Sequence, residues 1–138
     1  MVAKTTFDEF ARFYMDAEEW PGDGSVFHDE AAVEVDGVLY DDDIVNNGSR
    51  DFDEVVLAVE AYPEEHRFDS GATVRIIAGS VFHGENDDDP VSLEQKFNRW
   101  RRRQTETTLA VSVDRERADE AKDLIRDALK QAGIKTRF

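Results

Sequence analysis

The chain has 138 residues, 40% hydrophobic and 10% aromatic, with 32 Asp and Glu against 17 Lys and Arg for a formal net charge of -15. That length suits one domain with a real core, and so acidic a surface repels nucleic acid and anionic membrane while attracting basic proteins and cations. With no Cys there is no disulfide framework, thiolate chemistry or Cys-based zinc site; no apolar run approaches the roughly 20 residues of a membrane helix.

The opening MVAKTTFDEF lacks the apolar stretch of a signal peptide, so a cytoplasmic protein is expected. Residues 6–19 read as a helix. Thr6 and Glu9 have capping-box spacing, and Phe7, Phe10, Ala11, Tyr14 and Ala17 share a face. Trp20-Pro21-Gly22 stops it. Residues 25–40 read as strand, turn, strand. Asp36-Gly37 signals a type I′ turn, because both central residues need positive φ. Asp41-Asp42-Asp43 and Asn46-Asn47-Gly48-Ser49 form a polar connection. Residues 53–61 are ambiguous: Val55, Val56 and Val59 favour a strand, while the length also allows a short helix.

Residues 73–83 read as a strand. After the Asp87-Asp88-Asp89-Pro90 loop, Asp89 is expected to cap a helix with Pro90 at its first position. That helix runs to about Gln104 and puts Leu93, Phe97 and Trp100 on one face. Residues 107–113 alternate like a half-buried strand. Asp114 is expected to cap the last helix, which ends at Gly133 and carries Ala118, Ala121, Leu124, Ile125, Ala128, Leu129 and Ala132 on its apolar face. Residues 134–138 complete a C-terminal β-α-(β) unit. The expectation is one α+β domain over 1–138, a mostly antiparallel sheet with about three helices packed on it.

Gly24-Ser25-Val26-Phe27-His28 recurs as Gly79-Ser80-Val81-Phe82-His83, each followed by an acid, Glu30 or Glu85. The flanks differ, so the repeat is not read as a duplication. Were the segments to pair, His28, Glu30, His83 and Glu85 could converge as ligands for a first-row metal. The plainer reading is solvated strand tips, and no cofactor is expected. Neither Asp run has the ligand order of a calcium loop. No P-loop, dinucleotide fingerprint, nucleophile elbow or zinc-protease motif is present. A metal-dependent enzyme is therefore the remotest of the readings considered.

The basic stripe Lys96, Arg99, Arg102 and Arg103, with Arg101 beside it, reads first as internal balance for the acids. Its alternatives are an anion site or self-association into a homodimer. Two classes of function remain. In one, the chain is a non-enzymatic inhibitor, immunity protein or DNA mimic that neutralises a basic, nucleic-acid-handling protein, without binding nucleic acid or membrane itself. Its contacts would be Asp41, Asp42, Asp43, Asp51, Asp53, Glu54, Glu64, Glu65, Asp87, Asp88 and Asp89. In the other, the acidity is the general salt adaptation of a halophile. Scarce Lys belongs to that adaptation, and Arg over Lys (12 to 5) and Val over Ile (14 to 5) also fit a GC-rich genome.

Overall fold

In the computed structural model, residues 3–42, 49–105 and 111–135 are described, and they form two compact units, within 1–106 and 107–138. The fold is α+β. The first unit holds a six-stranded, mostly antiparallel sheet and three helices. Its strands are β1 (Ala3–Thr6), β2 (Val26–Val35), β3 (Val38–Asp41), β4 (Arg50–Asp51), β5 (Thr73–His83) and β6 (Val91–Ser92). Its helices are α1 (Phe7–Tyr14), α2 (Asp53–Ala61) and α3 (Leu93–Thr105). The strand order is β1-β5-β2-β3-β4, with β6 also on β5, and only β3 and β4 run parallel.

Local chemistry accounts for most boundaries. Thr6 caps α1 as expected, accepting the Glu9 N–H at 3.3 Å. The Glu9 carboxylate turns elsewhere, to the Thr5 hydroxyl at 2.6 Å and to Arg101. The helix stops at Tyr14, five residues short of the expected end. Asp16 ends it: its carbonyl accepts the Glu19 and Trp20 N–H groups and its carboxylate accepts that of Glu18, a side-chain competition that favours turns over helix. Asp36 and Gly37 take φ of 49° and 83°, so the hairpin turn is the expected one.

Residues 53–61 are a helix. Asp51 accepts the Asp53 N–H at 3.0 Å, and Val55, Ala58 and Val59 are buried at helical spacing. Tertiary burial thus overrides the strand preference of the valines. The cap expected at Asp89-Pro90 is displaced. Ser92 Oγ accepts the Gln95 N–H at 3.0 Å and Gln95 Oε1 accepts the Ser92 N–H at 3.2 Å, a reciprocal box that starts α3 at Leu93.

The core lies between the helices and one sheet face. Phe7, Phe10, Phe13, Phe52, Leu93 and Phe97 meet Val33, Val35, Val74, Ile76 and Val81 there. Gly79 marks the closest approach: its φ is 144°, and a Cβ there would meet Leu93 Cβ at 3.0 Å.

In the second unit, α4 (Ala118–Gln131) follows a 3-10 turn at Arg115–Arg117. Asp114 makes no side-chain cap, contrary to expectation; its carbonyl accepts the Arg117 N–H instead. Gly133, at φ 77°, ends the helix as expected, with the Ile134 N–H donating to the Leu129 carbonyl. No residue of α4 is buried, and Leu124 is 64% exposed. Of the two flanking strands expected, residues 111–113 and 134–135 are not in strand, and 107–110 and 136–138 lie outside the described residues.

Candidate functional site

The repeated pentapeptide builds the centre of the site. Its two copies pair antiparallel: Val26 faces His83, Phe27 faces Phe82, and His28 faces Val81. A local two-fold therefore passes between the phenylalanines. Alternation places His28 and His83 together on the helix-covered face, as diagonal neighbours. Each histidine then meets a different helix.

His28 meets α1. The Tyr14 hydroxyl lies 2.5 Å from His28 Nε2, within a ring cluster completed by Trp20 and Phe52. Burial first, then Asp42, Glu60 and Asp53, pushes the Tyr14 phenol up to about 12. Burial lowers His28, opposed by Asp42 and Asp29. A protonated phenol beside a neutral imidazole fixes the direction of the bond: Tyr14 donates to Nε2, and Nδ1 keeps the ring proton. His28 Nδ1 and Trp20 Nε1 are buried with no hydrogen-bond partner among the described residues.

His83 meets α3. Its Nε2 lies 3.2 Å from Lys96 Nζ, and its Nδ1 lies 3.8 Å from Asp87. Lys96 is only 6% exposed, sits 5.2 Å over the Trp20 ring and donates to Glu19 at 3.0 Å. Burial, then Arg99, lowers the Lys96 ammonium. Glu19 is equally buried, at 6%, and its second oxygen is paired with Arg103. Arg101 bonds Glu9 at 2.9 Å and the Lys4 carbonyl at 2.8 Å, over the face of Phe97. Much of the basic stripe is thus directed into its own molecule; Arg99 and Arg102 remain exposed.

The acids divide into groups. Asp41 and Asp51 are register partners on β3 and β4, and Asp53 follows at the start of α2. Asp53, Asp42 and Glu60 are the acids that act on Tyr14. Glu54 is held by Arg50 in a bidentate pair at 2.8 Å, and Glu65 by Arg67 at 3.1 Å. Glu64 is exposed in the loop after α2. Asp87 accepts the His83 and Asp89 N–H groups, which lowers its carboxyl and makes it a turn-builder. Asp88 and Asp89 are exposed beside it, near Val26 and apart from the β3–β4 group. Asp43 lies outside the described residues. Among those residues, no cluster of three or more His, Asp or Glu is placed to hold a metal. Glu30, at φ 54° in the β2 bulge, and Glu85 are exposed, while both histidines are engaged by Tyr14 and Lys96.

Sequence reasoning missed Tyr14, Glu19, Trp20 and Glu60. The signal nearest the site was the repeat, whose two copies pair antiparallel in the fold with their histidines on one face. Fold and site together define an acidic α+β chain whose partly buried polar contacts join two helices to one strand pair. No family model, curated protein or solved structure matches it. Among the described residues, no helix is long and apolar enough to cross a membrane.

The Tyr14 shift carries an alkaline prediction. Its folded value of about 12 exceeds the ordinary 10.0, so the folded state keeps the proton that the unfolded chain releases. The contribution of Tyr14 to stability is whole below pH 10 and is lost, to the extent of roughly 2–3 kcal/mol, as pH rises to about 12. Ultraviolet titration of Tyr14→Phe should lack the highest tyrosinate step, and its alkaline melting should flatten. A step that persists in the variant belongs to another tyrosine.

Proposed function

We propose that this protein is a non-enzymatic acidic interaction protein that binds and neutralises a basic, nucleic-acid-handling protein. The supporting observation is how its charges are distributed. Glu19 and Glu9 occupy Lys96, Arg103 and Arg101 internally. Meanwhile Asp42, Asp53 and Glu60 lie close enough together to act on the same phenol, with Asp41 and Asp51 adjacent. A local surplus of carboxylates steers cationic surfaces and pairs with Arg and Lys in place of phosphates. The chain does not itself bind nucleic acid or a membrane surface on this reading.

The test is competition. An arginine-rich peptide is bound to a labelled DNA duplex, and the protein is titrated in at low and high salt. The protein should displace the DNA at low salt and lose strength as salt rises. The variant Asp42→Asn, Asp53→Asn, Glu60→Gln should compete at least roughly tenfold less well, with wild-type melting. Failure to displace DNA at either salt, equal competition by the variant, or direct binding to the duplex would sink the reading. Melting in dilute buffer separates it from salt adaptation: a halophilic fold loosens there and recovers in molar KCl, whereas a partner-binding fold stays intact.

A further inference from the structure

The helices of the first unit cover one face of the sheet. Val33, Val35, Val74, Ile76 and Val81 point into that core, so Phe27, Glu34, Arg75 and Phe82 emerge on the opposite face. There Phe27 and Phe82 stack with centroids 5.2 Å apart and planes 13° apart. Phe27 is still 39% exposed, and Ile77 is 40% exposed. Large apolar side chains gathered on one face of a highly charged chain mark a contact surface. The charges indicate what covers it. Arg75 stands opposite Glu34 on the neighbouring strand, and Lys4 stands opposite Arg75. Unlike the acidic corner at β3, β4 and α2, this face carries both signs side by side.

We infer that this face receives a second copy of the chain, in a two-fold dimer of stacked sheets. Phe27 is level with Phe82, and Glu34 is level with Arg75, on the adjacent strands β2 and β5. A two-fold axis along the strands, midway between β2 and β5, lays β5 of one copy over β2 of the other. It sets each Phe27 on Phe82 of the second copy and each Arg75 on its Glu34. The small residues Ala32 and Ala78, paired midway, suit the ~10 Å spacing of packed sheets. The contact is isologous and closes as a dimer. It stands independently of the proposed partner binding, because it uses another face and responds oppositely to salt. Two copies at -15 each repel at long range, so screening favours the dimer.

The experiment is light scattering on the full chain at micromolar concentration, in about 0.01 M and about 1 M KCl. A dimer mass is expected, with tighter association at high salt. Phe27→Asp should give a monomer with wild-type melting. Arg75→Glu and Glu34→Arg should each weaken association by roughly tenfold or more, and the double swap should restore it. A monomer at both salts, a dimer indifferent to Phe27→Asp, or single swaps that the double fails to rescue would overturn the inference. Should Phe27→Asp not fold, the charge-swap set decides alone.

Discussion

Replacing Phe97 by alanine should destabilise the fold by about 3–5 kcal/mol, the range for a fully buried aromatic ring. Phe97 has no exposed surface and meets Phe13 edge-on at 5.2 Å and Trp100 at 5.9 Å. Its other face carries the Arg101 guanidinium at 4.5 Å. Truncation would leave a cavity between α1 and α3 and remove the surface that positions Arg101 against Glu9. Urea denaturation reads the loss directly, and the emission of Trp100, 3% exposed, should move to the red in the variant. Wild-type melting would mean that the α3 face is not the centre of the core.

Glu19→Ala should cost about as much for a different reason, roughly 3–5 kcal/mol for a buried ion pair robbed of one member. The Lys96 ammonium would stay buried against Trp20 with His83 Nε2 as its remaining neighbour. An unpaired buried charge is far worse than none. The double variant Glu19→Leu, Lys96→Met should therefore recover most of the loss. Thermal melting of the single and double variants separates pairing from packing. If the single variant melts like wild type, the pair is effectively solvated and contributes little.

Much of the fold could be read in the sequence where one local signal had no rival. Thr6 as the cap of α1, Asp36-Gly37, the Leu93–Phe97–Trp100 face and Gly133 all act as their chemistry requires, while Glu9 leaves the expected box for Thr5 and Arg101. The strands β1, β4 and β6 could not be read, because segments of two to four residues have no period and exist only through their partners. At α3 two caps competed. Asp89-Pro90 lost to Ser92 and Gln95, whose reciprocal bonds lie against the first buried residue, Leu93. At α2 the valines hid a helix that Asp51 starts and burial holds. The site was harder to read. The basic stripe was visible, but Glu19, which lies beyond the end of α1, could be matched to Lys96 and Arg103 only in three dimensions. The histidine repeat was visible too, but nothing local says that the two copies meet.

That meeting also matters while the chain is still unfolded. Val26-Phe27-His28 and Val81-Phe82-His83 are the same word read in opposite directions, so each triplet pairs as well with its own counterpart on another molecule as with its partner in the same chain. Correct folding is then a contest between an intramolecular closure, favoured by effective concentration, and an encounter between chains, favoured by crowding. Asp29 and Glu30 follow one triplet and Glu85 follows the other, so charge borders each β-prone segment, the arrangement that limits stacking of such segments between chains.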